Sequence, residues 1–333
     1  MIGFDCGTYN LVCSHRDEKG NFVYKREVNA FLELPLDNRF VFNMMKTAGV
    51  PLIEREKVAY ALGEAACNMA YTMSQIELKR PMIHGCVNPK EKDAFQIMSI
   101  MMHSLIDGVK KNGETLYYCV PANAINEETD ADYHQRILAA IFKAYKNESG
   151  YTVDAHPINE ALALAYAELG KKAYTGIACS FGGGMINICY AMYGNPIFSF
   201  SIVNSGDWID RQAAKATGES IAFINKEKMK IDLSKSPSTL VERAINTQYR
   251  LMIEHAVAGI KKGFADVTKT VRTDDAVDIV VAGGTSSPNG FTEIFKETIE
   301  QADLPIKIGE IIRPNDPLYS VARGCLIAAE AAK

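Results

Sequence analysis

The 333-residue sequence contains no long apolar run; a stretch such as Val277–Ala282 (VDIVVA) falls far short of the ~20 residues needed to span a bilayer. It has no positively charged leader with an apolar core, so no secretory signal is expected. Its eight cysteines include no CxxC pair and its six histidines no HxxxH pair, which argues against a zinc or dithiol centre. The cysteines, mostly in apolar segments, read as reduced, buried small side chains in a cytoplasmic protein. There is no basic block: 36 Lys and Arg stand against 40 Asp and Glu, a net charge of −4, so nucleic acid is not an expected partner. Low-complexity segments are also missing. What remains is an ordinary globular mixture, 47% hydrophobic and 23% charged, long enough for two domains at roughly 150 residues each.

The chain does contain an internal repeat, marked by glycines. Residues 2–13 read IGFDCGTYNLVC and residues 177–189 read IACSFGGGMINIC, with Asp5-Cys6-Gly7-Thr8 aligning on Ser180-Phe181-Gly182-Gly183 at an offset of 175. Further on, Gly20-Asn21 answers Gly194-Asn195. Each copy reads as a strand, a tight glycine turn, a second strand, and a Gly-Asn turn into a third. Glycine hairpins let backbone N–H groups approach an anion closely. Two of them half a chain apart predict two similar lobes that clamp phosphates between them.

Strand candidates at Arg39–Phe42, Lys57–Tyr60, Leu116–Val120 and Asp278–Ala282 alternate with helical patterns over 90–111, Asp132–Tyr145, 157–169, 239–263, Phe291–Gln301 and Ser320–Ala332. This alternation predicts an α/β class. Residues 26–75 read as a small inserted subdomain.

In order along the chain stand DCGTYN, CVPA, NEALALAY, SFGGG, GDWID, EKMK, VAGGT and DPLYSVARG. Together they resemble the actin-like ATPase superfamily, and among its branches the bacterial actins that include MreB and MamK. Arg80-Pro81-Met82-Ile83-His84-Gly85-Cys86-Val87 is similar to the Pro-x-x-x-Gly-Val lead of that branch into a long helix. The resemblance implies two ribonuclease-H-like lobes, each with an inserted subdomain. Lobe I would span 1–150, with its insertion at about 26–75, and be completed by a C-terminal helix at 316–333. Lobe II would span 151–315, with its insertion at about 211–270.

The resemblance also assigns roles, with ATP and Mg2+ as cofactors. Asp5 would hold the metal through water, and magnesium needs few carboxylates. Gly7, Thr8, Tyr9 and Asn10 would face the β- and γ-phosphates from one side, and Gly182, Gly183 and Gly184 from the other. Tyr9 replaces a usually small residue, and its bulk is expected to narrow the site. Glu160, in the first turn of an otherwise apolar helix and expected to be capped by Asn159, would orient the attacking water as a catalytic group. Gly206 and Asp207, followed by Asp210, would form a turn near the γ-phosphate. Glu227, Lys230 and Ser234 would contact ribose and adenine, and Gly283, Gly284 and Thr285 the adenosine or α-phosphate. Ser180 departs from the pattern, since the family normally carries a second metal-side aspartate there. That loss implies slow hydrolysis, and Ser180→Asp is expected to speed it.

The implied activity is ATP hydrolysis that drives head-to-tail self-assembly into cytoskeletal filaments. A non-polymerising adaptor of the FtsA or PilM type and a chaperone-like ATPase are the alternatives. No substrate domain follows Lys333, which weakens the chaperone reading. With Met1 directly before the first strand, an amphipathic N-terminal membrane helix is not expected. Phe31, Leu32, Leu34 and Leu36 offer a membrane loop only if exposed, and burial in the subdomain is the favoured expectation.

Overall fold

In the computed structural model, which describes residues 1–35, 39–55, 58–72, 77–267 and 275–332, the repeat is visible as two sheets. The chain opens with a meander of β1 (Ile2–Cys6), β2 (Asn10–Arg16) and β3 (Phe22–Val28). An insertion follows, made of β4 (Phe31–Pro35), α1 (Arg39–Thr47), β5 (Leu52–Arg55), β6 (Val58–Leu62) and α2 (Gly63–Thr72). A short ribbon, β7 (Met82–Ile83) and β8 (Cys86–Val87), leads to α3 (Ala94–Leu105), β9 (Glu114–Val120), α4 (Ala131–Ala144), β10 (Val153–Asn159) and α5 (Glu160–Glu168). The second meander is β11 (Gly176–Phe181), β12 (Ile186–Met192) and β13 (Asn195–Ile202). Then come α6 (Gly206–Thr217), α7 (Ile221–Lys228), α8 (Leu240–Val267), β14 (Val277–Ala282), α9 (Phe291–Gln301), β15 (Ile308–Ile312) and α10 (Ser320–Ala331).

The first sheet runs β10-β9-β1-β2-β3 and the second β15-β14-β11-β12-β13, the same order built twice. In both, the two hairpin strands are antiparallel and the neighbours on the other side parallel. The fold is therefore the two-lobed α/β architecture expected. The helices α5 and α10 lie against each other between the sheets, α5 on β11 and β12, α10 on β1 and β9. Gly324 of α10 makes this crossing possible, because a Cβ there would lie 1.7 Å from the Ala163 carbonyl oxygen.

Two local readings change. Arg39–Phe42 is the start of a helix, α1, which turns Phe42 inward while Phe40 stays exposed. The helix read from 157 begins at Glu160, because Val153–Asn159 pairs with β9 as the edge strand of the first sheet. Phe31 and Leu32 are fully buried, so they offer no membrane contact. Leu36 and Lys57 lie outside the described residues. No helix among the described residues is long and apolar enough to cross a membrane. All eight cysteines are free, and seven are buried.

Candidate functional site

A cleft of about 450 Å³ opens between the two sheets, floored by the ends of β1, β11 and α5 and walled by α7 and the loop after β14. Asp5, Gly7, Thr8, Tyr9, Asn10, Glu160, Ser180, Gly182, Gly183, Gly184, Lys230, Gly283, Gly284 and Thr285 all line it. The two glycine hairpins approach so closely that a Cβ on Gly184 would lie 2.4 Å from Thr8 Oγ1, and one on Gly183 2.8 Å from Tyr9 Cβ. Only glycine permits this approach.

The second hairpin is held from behind. Three donors converge on the Gly182 carbonyl: Ser205 Oγ at 2.6 Å, Thr285 Oγ1 at 2.7 Å and Gly206 N at 3.2 Å. The Asp207 amide donates to Gly183 O at 2.7 Å. Gly206 and Asp207 thus brace the hairpin through their backbone and do not line the cleft. Thr285 lines it but spends its hydroxyl on the same brace. In the first hairpin, Thr8 Oγ1 accepts from Gly85 N at 3.1 Å. Asn29 Nδ2 donates to Gly7 O at 3.1 Å.

The floor carries two carboxylates. Asp5 accepts from the Cys119 thiol at 3.2 Å. Burial pushes its pKa up, partly offset by that bond. Glu160 opens α5, which Asn159 caps as expected, its side chain accepting from Leu162 N at 3.0 Å. Burial raises the Glu160 pKa and the charge of Asp5 adds to it, while hydrogen bonds from Ser180 and Asn187 act the other way. Ser180 Oγ donates to Glu160 Oε1 at 2.8 Å, so the serine holds the glutamate and is not a free stand-in for a metal-side aspartate. The hard oxygen donors of Asp5 and Glu160 suit magnesium. So does Asn10, whose side-chain oxygen is buried with no protein partner among the described residues.

Tyr9 extends across the cleft, its hydroxyl donating to Asn225 Oδ1 at 3.1 Å while Arg80 stacks on its ring at 4.4 Å. Asn225 Nδ2 and Lys228 Nζ both donate to Asp210 Oδ2, at 2.7 and 2.8 Å, and Lys228 also reaches Gly206 O. Lys228 is thus the lysine of EKMK that is buried in the wall. Lys230 lines the cleft paired to Glu227 at 2.6 Å, and Glu227 itself does not line it. Ser234 is exposed, bonded to Asp232, and outside the cleft.

Sequence reasoning missed Asn187, Asn225 and Lys228. Asn187 had a readable signal as the lone carboxamide in the apolar strand INICYAM. For Lys228 the signal was its position three residues after Asn225 on one helical face.

The fold is shared with solved structures of low sequence identity. A MamK double helical filament matches with TM-score 0.67 and 15% identity, over 99% of this chain and 98% of that one. MreB5 of Spiroplasma citri bound to AMPPNP gives 0.65 and 17%, over 99% and 96%. The ethanolamine utilization protein EutJ from Carboxydothermus hydrogenoformans gives 0.55 and 17%, over 98% and 88%. No curated protein matches the sequence significantly. Residues 1–329, nearly the whole chain, match the family described as Volactin. With its duplicated sheets and glycine-lined cleft, the chain has the two-lobed fold it shares with MamK and MreB5, and it belongs to the Volactin family.

Proposed function

We propose that this protein binds ATP in the inter-lobe cleft, hydrolyses it slowly and assembles in the cytoplasm into head-to-tail filaments under nucleotide control. The observation that carries the reading is the pair of opposed glycine hairpins over a floor of Asp5 and Glu160. Phosphates fit between the hairpin amides, and the cavity is of small-molecule size. Magnesium, when bound, supplies positive charge to the phosphate oxygens, with Asp5 as its carboxylate and Asn10 beside it. Glu160 orients a water for in-line attack, a reaction that depends chiefly on positioning and charge stabilisation. Hydrolysis is slow because burial and the neighbouring Asp5 charge raise the Glu160 pKa, so that part of it is protonated near neutrality. Self-assembly is supported by likeness to a filament-forming MamK, and nucleotide binding by likeness to MreB5 bound to AMPPNP and to ADP. A head-to-tail contact is heterologous and does not close on itself, so it extends.

The test is thermal unfolding with millimolar ATP or GTP and magnesium, followed by sedimentation. ATP raises the melting temperature, since a ligand bound only by the folded state stabilises it. Gly183→Val, which places carbon against Tyr9, loses that shift. Absence of a shift in the wild type sinks the nucleotide reading. A shift without ATP-dependent pelleting at any protein concentration replaces the filament with the adaptor.

A further inference from the structure

The segment after β9, in the first lobe, crosses to the edge strand of the second sheet. Ser201 N on β13 donates to Asn123 O at 3.0 Å, and Ile125 N donates to Ser201 O at 2.9 Å. Asn126 continues the contact, its Oδ1 accepting from Val203 N at 3.1 Å. This strap pairs one lobe's backbone with the other's, and Ser201 is the residue it grips.

The fully buried Ser201 side chain faces the other way along a polar row. Ser180, Asn187 and Ser201 are direct cross-strand partners on β11, β12 and β13, so they share one face of the sheet. Ser201 Oγ donates to Asn187 Oδ1 at 2.5 Å. That leaves the Asn187 amide nitrogen for Glu160, which lines the same cleft and whose charged form the amide favours. Each member of the row is at most 2% exposed, between apolar neighbours. A buried polar group needs a partner, and here the chain of partners ends on the carboxylate at the cleft floor.

We propose that Asn187 is a positioning residue for Glu160, fixed by Ser201, and that the inter-lobe strap sets this relay, so that Glu160 is aimed only when the lobes are docked. The proposal rests on Glu160 being the water-orienting group. A glutamate held by a single donor can turn about its side-chain torsions, and small misplacements of a positioning group cost rate rather than affinity. The strap thereby ties the hydrolytic geometry to lobe arrangement without touching the nucleotide.

The experiment is single-turnover ATP hydrolysis by the full chain, with ATP affinity and melting temperature measured in parallel. Ser201→Ala lowers the hydrolysis rate about 3- to 10-fold, the worth of one neutral hydrogen bond, with ATP affinity within about twofold. Ser201→Thr, which keeps the hydroxyl, restores the rate. Ile125→Pro, which removes the strap's donor to Ser201 O, slows hydrolysis in the wild-type background but adds nothing to Asn187→Ala. Ser201→Ala at the wild-type rate overturns the relay, as does a fall in ATP affinity matching the fall in rate, which marks a merely structural role. Glu160→Ala separates this from the broader reading. It slows hydrolysis on the order of 10²-fold if Glu160 orients water. If Glu160→Ala is silent, the assignment of Glu160 itself fails; if it is slow while Ser201→Ala is not, only the relay fails.

Discussion

At Ser180 a motif and the local hydrogen bonding point to opposite outcomes. The resemblance marks an aspartate as missing and so expects Ser180→Asp to speed hydrolysis. In the structure that substitution removes the donor to Glu160 Oε1 and sets a carboxylate against it, near Asp5. Like charges in one site raise each other's pKa. Ser180→Asp is therefore expected to hydrolyse about tenfold more slowly than wild type at neutral pH, the equivalent of roughly 1.4 kcal/mol. A faster variant would overturn that account of Ser180. The glycines were legible because the close backbone approach demands them, whereas Asp5 and Glu160 were marked by the family resemblance. Asn187 and Lys228 were not, since what each does depends on partners from distant strands or helices. His134 belongs to the same hidden class. It is fully buried, accepts from Val87 N at 3.2 Å, and burial lowers its pKa to about 4. The unfolded state then binds the extra proton first, so stability held above pH 6.5 is lost as pH falls toward 4, by up to roughly 3 kcal/mol. His134→Gln, tested by urea unfolding between pH 7 and 4, should show a correspondingly flatter pH dependence.

At the scale of elements, the duplicated meander was legible because glycine turns and alternating strands leave a local signature. Two other elements were not. Arg39–Phe42 ends in three consecutive strand-favouring residues, Phe40, Val41 and Phe42, which suits a strand, and only the longer Arg39–Thr47 segment identifies a helix. The helical pattern read over 157–169 took in Pro157, yet this residue sits in β10 at the sheet edge, where a missing N–H is tolerated. The contact between α5 and α10 was invisible as well, because it depends on one glycine meeting one carbonyl across the molecule. Gly324→Ala must push the two helices apart, and we expect a loss of at least about 2 kcal/mol in chemical denaturation. An unchanged midpoint would mean that the helices can separate freely.

For the whole molecule, the lobes touch at the cleft mouth as well as at its floor. Tyr9 reaches Asn225 from the first hairpin, and the Lys226 ammonium lies 3.4 Å from the Tyr71 ring centroid, joining α7 to α2. A nucleotide bound as proposed would leave only when these contacts part. Asn225→Ala should speed dissociation of a fluorescent ATP analogue about 3- to 10-fold, the worth of one hydrogen bond. An unaltered off-rate would place the barrier elsewhere. The exchange of α5 and α10 between sheets has a mechanical consequence. Two lobes joined by a single linker can swivel in any direction, but these are joined by two lengths of chain crossing at one place. Such a joint behaves like a door on two pins, free about one axis and stiff against twist and slide. Glu160 is the first residue of one pin, so the carboxylate sits close to the axis. The cleft can then swing open at its mouth with little travel of Glu160 itself, which leaves its aim to the strap-held row of Ser201 and Asn187.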